Sequence, residues 1–179
     1  IVVDDGSSDG TAELIGQRFP QVTVLRQVNA GPAAAYNRAV RTASGDLVAF
    51  LDHDDEWLPE KLERQIAVLR EHPEACGVLC RALVMDGVHP PPRLPDEARV
   101  VELGFRDWFF GKNLQGIHRG MSSWLFRRQT FSPPFGGLDE SIRSFADFEA
   151  LLRLGALGYR VVGLCQQLYR YHLRGDSLG

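Results

Sequence analysis

Asp52, Asp54 and Asp55 crowd into one short stretch, with His53 among them, at the end of the sequence GDLVAFLDHDDEWLP. Residues 47–51 before them form an apolar run of strand length. Side chains at i and i+2 of an extended chain point the same way, so Asp52 and Asp54 can face one point at the strand's C-terminal end. In open α/β sheets that edge is where ligands bind. Like charges held together there are costly unless a cation or hydrogen-bond donors compensate them. A divalent metal carrying a diphosphate meets that need. A solvated acidic turn, with Asp55 capping the next helix, meets it as well.

Further candidates lie on either side. Asp4 and Asp5 open DDGSSDGT, where Gly6 permits a tight turn and Ser7, Ser8, Asp9 and Thr11 are all possible helix caps. Carboxylates there cannot cradle phosphate, but they can accept hydrogen bonds from a base N–H or ribose hydroxyls; a plain Asx-turn uses them equally well. Asn37 and Arg38 are the polar members of an Ala-rich helix begun by Gly31-Pro32, and Arg38 can meet a diphosphate or stay solvated. Asp147 falls in the first turn of a helix over 145–157, where the helix dipole keeps a carboxylate ionised, as a catalytic base must be. Glu149 is its rival, turned away around the helix. His172, in YRYH, is a lone imidazole that serves as ligand or as structure.

The elements that must position these groups alternate. Residues 1–3 and 22–25 read as strands around a helix carrying Leu14, Ile15 and Phe19, which Pro20 stops. Residues 46–51 read as the central parallel strand. Trp57-Leu58-Pro59 opens a helix with Leu58, Leu62, Ile66 and Leu69 on one face, and Pro73 ends it. Residues 77–85 form the next strand. This predicts an α/β fold, a mostly parallel central sheet flanked by helices. The pattern breaks at Asp86, and HPPPRLP marks an exposed loop. Residues 105–131 are rich in aromatics, of which Phe105, Phe109, Phe110, Phe126 and Phe131 suit a core, while Trp108 and Trp124 suit a core or a substrate groove. Arg127-Arg128 suits a surface pair or a phosphate contact. Strand-like stretches follow at 159–164 and 167–173.

The 179 residues, 44% hydrophobic and 24% charged, suit one globular domain. A net charge of −3 without a basic stripe argues against a nucleic-acid surface. Cys76, Cys80 and Cys165 lack paired spacing and read as buried thiols of a reducing, cytoplasmic setting. No apolar run is long enough to span a bilayer. The chain opens directly on an apolar strand, which suggests a fragment lacking an upstream strand and helix.

In order and spacing, VVDDGSSDGT, NAGPAAAYNRAVRTASGDLVAFLDHDDEWLPEKL, GGLDESIRSFADFEALLRL and YRYH resemble glycosyltransferase family 2, with the GT-A (Rossmann-like) fold. The resemblance runs from residue 1 to about 177 and is weakest over 86–120. It implies inverting transfer of a sugar from a nucleotide-sugar donor, commonly a UDP-sugar, to a saccharide or lipid-linked acceptor. The setting it implies is the cytoplasm or the cytoplasmic face of a membrane. It divides the chain into a nucleotide-sugar-binding half, 1–85, and an acceptor-side half, 86–179. It places Asp4 and Asp5 at the base, Asn37 and Arg38 by the diphosphate, and Asp52 at the ribose or the metal shell. Asp54, with Asp52 and His172, would hold Mn2+ or Mg2+, and Asp147 would be the general base. Three departures stand out: Ala146 replaces the usual Glu before Asp147, Tyr36 stands where relatives carry Arg, and the spacing from His172 to Ser177 is unusual. A non-catalytic nucleotide-sugar-binding module and a nucleotidyltransferase are the alternative readings.

Overall fold

The computed structural model describes residues 1–95, 98–110 and 114–173; Ser177 and the side chains of Phe109 and Phe110 lie outside the described residues. In chain order the elements are β1 (Val2–Asp4), α1 (Thr11–Arg18), β2 (Val24–Arg26), α2 (Pro32–Thr42), β3 (Leu47–Ala49), β4 (Glu56–Trp57) and α3 (Lys61–Glu71). They continue with β5 (Gly77–Met85), β6 (Val100–Leu103), α4 (Phe105–Phe110), β7 (Leu125–Arg127), α5 (Ala146–Ala156) and β8 (Val161–His172). Short 3-10 turns cover Met121–Ser123 and Arg128–Phe131.

The chain is α/β, as its alternation predicts, with helices against a central sheet. β1 and β2 pair in parallel as a ribbon of their own. The larger sheet runs β3-β7-β5-β8-β4, with β6 also on β8. The expected central parallel strand needs correcting. β3 is only 3 residues long and pairs with β7 alone, antiparallel, at one end of this order. The centre is β5 with the 12-residue β8, which are parallel; the remaining pairings of this sheet are antiparallel. The sheet is therefore mixed rather than mostly parallel. β7 is reversed between β3 and β5, so β3, β5 and β8 all point the same way. Their C-terminal ends share one edge, and that edge carries the acidic turn.

The two faces of the sheet bury different cores. One holds Phe50, Trp108, Trp124, Phe126, Leu151 and Leu154; the other holds Val68, Leu69, Val78, Cys80, Leu168 and Tyr169. Trp108 and Trp124 have no exposed surface, so they are core and line no groove. The three cysteines are free and buried, as expected of small hydrophobes.

Two local expectations differ. Trp57 does not open a helix: Glu56 and Trp57 pair with Arg170 and Tyr169, and the helix begins at Lys61. The inner face of α3 is Lys61, Gln65, Val68 and Leu69, while Leu62 is exposed. A buried lysine is tolerable because its stem packs as hydrocarbon. Its ammonium lies 4.5 Å from the centre of the Trp57 ring and donates to Gln65 Oε1 at 2.7 Å. Gln65 in turn donates to Val78 O and Ser123 O.

Candidate active site

The turn after β3 is held from outside itself. The Asp52 backbone N–H donates to Ser122 Oγ at 2.9 Å, and Trp57 Nε1 donates to Ser122 O at 3.1 Å. The Tyr36 hydroxyl donates to Asp52 Oδ1. Burial, then the charges of Asp55, Asp54 and Asp147, push the Asp52 carboxyl up to about 7, against the help of the Ser122 hydroxyl. Two carboxylates beyond its own turn's Asp54 thus share its field, and one of them comes from α5. That convergence is the expected clustering at the C-terminal edge.

Asp55 does not cap the next helix. It is buried beneath the end of β8, where its Oδ1 accepts the His172 backbone N–H at 3.2 Å. Burial is the main cause that raises its carboxyl above the usual range. Among the described residues its Oδ2 and His172 Nε2 are both buried without a hydrogen-bond partner, although the Ser122 hydroxyl is close enough to lower the Asp55 carboxyl in part. The imidazole nitrogen stands 3.7 Å from Glu56 Oε1. Asp54, Asp55, Glu56, Asp86 and His172 wall a cavity of about 390 Å3 at this edge.

Hard oxygen donors with one imidazole suit Mn2+ or Mg2+, and two orphaned buried donors at one wall are what a cation would satisfy. Among the described residues, no three His, Cys, Asp or Glu side chains are placed to hold a metal ion. The residues therefore fit a cation only as a shared guest, with ligand oxygens and water completing its shell.

Asp147 sits in the first turn of α5, where its Oδ1 accepts the Phe148 N–H at 2.8 Å. Burial raises its carboxyl, and the nearby Arg119 charge offsets part of that. The helix starts after Phe145 in the left-handed region (φ 61°), an unfavourable conformation for a bulky residue. Its rival Glu149 is engaged elsewhere, paired with Arg153 at 2.7 Å. Arg153 also holds the carbonyls of Phe135 and Gly137.

Asp5, Asn37 and Arg38 are spent on structure, and Asp4 only in part, since its Oδ2 is buried without a hydrogen-bond partner among the described residues. Asp5 accepts hydrogen bonds from Gln27 Nε2 and from the Ala30 and Gly31 backbone, fixing the entry to α2. Asp4 accepts the Ser7 N–H and lies 3.4 Å from Arg26 Nε. Asn37 is buried and clamps the GGLDE loop: it donates to Leu138 O and Glu140 Oε1 and accepts the Leu138 N–H. Gly137, at φ 96°, allows this approach, since a Cβ there would lie 2.6 Å from Asn37 Oδ1. Arg38 donates to Arg26 O and Gln27 Oε1. Arg127 and Arg128 likewise bond carbonyls, at Ala75, Leu69 and Gly45.

Sequence reasoning passed over Ser122, Tyr36 as a partner of Asp52, and the aromatic pair His118–Tyr171, whose rings lie 4.6 Å apart. His118 Nδ1 accepts the Gly120 N–H and the Tyr169 hydroxyl. Burial pushes the His118 imidazole down to about 4, so it stays neutral. Tyr171 faces Asp55, Asp54, Asp52 and Asp147, whose charges add to burial in raising its hydroxyl. No local pattern marks such long-range partners.

The family model described as glycosyl transferase family 2 matches residues 1–132. TuaG of Bacillus subtilis, a putative teichuronic acid biosynthesis glycosyltransferase, is 41% identical over 40% of this chain and 30% of its own length. An uncharacterized glycosyltransferase of Haemophilus influenzae is 26% identical over 86% of this chain and 51% of its own. Among solved structures, S. aureus TarS in complex with UDP-GlcNAc superposes with a TM-score of 0.75 at 21% identity, over 98% of this chain and 49% of that one. The chain spans about half or less of the length of these proteins. Among the described residues no helix is long and apolar enough to cross a membrane.

Proposed function

The chain belongs to glycosyl transferase family 2, and from that premise we propose that it transfers a sugar, with inversion, from a UDP-sugar to a hydroxyl of a saccharide or lipid-linked acceptor. The observation that carries this reading is the cavity that Asp54, Asp55, Glu56 and His172 wall at one sheet edge, with Asp147 of a different element near enough for its charge to act on Asp52. An inverting displacement needs negative charge managed on the leaving diphosphate and a base on the opposite side of the anomeric carbon.

The donor half is residues 1–85. Asp5 fixes the 30–31 backbone and Asp4 lies beside it, framing the nucleotide base. Asn37 and Arg38 shape this half through the loops they hold. Asp54 and His172, at the wall of the edge cavity, would hold Mn2+ or Mg2+ together with donor oxygens and water, with Asp52 in the shell around them. When bound, the ion supplies charge neutralisation for the leaving diphosphate. Residues 86–179 form the acceptor side. There Asp147 accepts the proton of the acceptor hydroxyl as its oxygen forms the bond to the anomeric carbon. Burial raises its proton affinity above that of an ordinary carboxylate, in the direction that helps a base. Tyr36 and Ser122 orient Asp52, and the His118–Tyr171 pair gives the site a rigid wall.

The test is UDP release from UDP-GlcNAc, with and without added Mn2+, in the wild type and in Asp54→Ala. Metal-dependent release that Asp54→Ala abolishes is expected. Release that is indifferent to both would refute the proposal.

A further inference from the structure

Arg119 is a cation beside the base that the reaction above leaves without a task. Its guanidinium is centred 4.8 Å over the ring of Phe148, the residue after Asp147. Its backbone is clamped on both sides. Fully buried Trp124 donates its Nε1 to Arg119 O at 2.8 Å. The preceding His118 donates its N–H to Cys80 O and accepts the Ser123 hydroxyl. The side chain thus leaves a fixed point and sets its guanidinium over an aromatic ring.

A guanidinium held over a ring in this way keeps N–H groups that can make bidentate bonds. Arg81, Arg127 and Arg153 spend those donors on backbone carbonyls. Arg119 makes no hydrogen bond or ion pair through its guanidinium among the described residues.

Resting on the transferase reading of this edge, we propose that Arg119 is an anion receptor for the acceptor, which carries a carboxylate or phosphodiester next to the hydroxyl that Asp147 deprotonates. Four carboxylates crowd this edge, so an anionic acceptor meets repulsion unless a cation receives its charged group. A neutral saccharide needs no such partner. Because Arg119 lies against α5 beside the base, the group it receives belongs to the acceptor rather than to the donor diphosphate.

The test is calorimetry on the chain with UDP and Mn2+ present, titrating tetragalacturonate, a glycerol-phosphate oligomer and neutral maltotetraose. At least one anionic probe should bind about tenfold or more tighter than maltotetraose, and which one does so separates carboxylate from phosphodiester. Arg119→Met keeps the length and the stacking on Phe148 and should erase the difference, while Arg119→Lys should restore part of it. Equal affinity for all three probes would overturn the proposal, as would a preference that survives in Arg119→Met. Failure of the transferase reading would show separately, as a wild type that neither binds UDP nor hydrolyses the donor.

Discussion

Asp52 should destabilise the fold it serves, and Asp52→Asn should reveal by how much. The variant keeps an oxygen to accept the Tyr36 hydroxyl and leaves the backbone bond to Ser122 in place, so the perturbation is mainly loss of a buried charge. The carboxyl is raised from 3.8 to about 7 in the fold, mainly by burial. Between those values the folded state holds a proton that the unfolded state has released, so wild-type stability falls as pH rises. The slope is about 1.4 kcal/mol per pH unit, or roughly 3 kcal/mol between pH 5 and pH 7, as a ceiling that retitration of neighbouring carboxylates lowers. Denaturant unfolding of both proteins at pH 5, 6, 7 and 8 measures the difference directly. The advantage of Asp52→Asn should grow from pH 5 to 7, level off by pH 8, and coincide with lost donor binding. A difference independent of pH, or one that shrinks as pH rises, would refute the reasoning.

Asp147→Asn should retain UDP affinity while its turnover falls by on the order of a thousandfold, the signature of a group acting in the transition state; Glu149→Gln should instead lose stability through Arg153 and keep a measurable rate. Asn37→Ala should lose about 2–4 kcal/mol in denaturant unfolding, because it strands the buried N–H and carbonyl of Leu138. Burial lowers the Lys61 ammonium from 10.5 to about 8, so the fold gains stability as pH climbs through that window. Lys61→Met should be more stable than wild type at pH 7, by up to about 3 kcal/mol, and should lose that advantage by pH 10.5.

The fold was legible where a residue's role is set by its neighbours in sequence. An apolar run ending in acids had to be a strand opening onto a polar edge, and β3 does so. Gly31-Pro32 begins α2 because proline at the first helical position gives up no hydrogen bond. Strand partners were not legible in the same way. β7 lies between β3 and β5, yet it follows β5 in the chain by some forty residues, and nothing in 46–51 announces a reversed neighbour. The inner face of α3 failed for a related reason: Lys61 is buried there because Trp57 and Gln65 are arranged to receive it.

The same distinction divides the site residues. A carboxylate or amide side chain in the sequence declares what it can bond, not what it does bond. Asn37 and Asp5 resemble ligand contacts in their motifs, but the structure finds their partners in other loops, Asn37 across 101 positions and Asp5 across 26. Asp52, Asp55 and His172 behave oppositely. Folding buries Asp55 and half-buries Asp52 and His172, and it leaves part of their bonding capacity unmet, at Asp55 Oδ2 and His172 Nε2, or strains their charge, at Asp52. A side chain whose bonds close within the chain explains architecture. One that the architecture buries and leaves open calls for something the chain does not contain. On that criterion Asp5, Asn37 and Arg38 are framework, while Asp4, with its buried and unpartnered Oδ2, stands with the β3 turn and the end of β8.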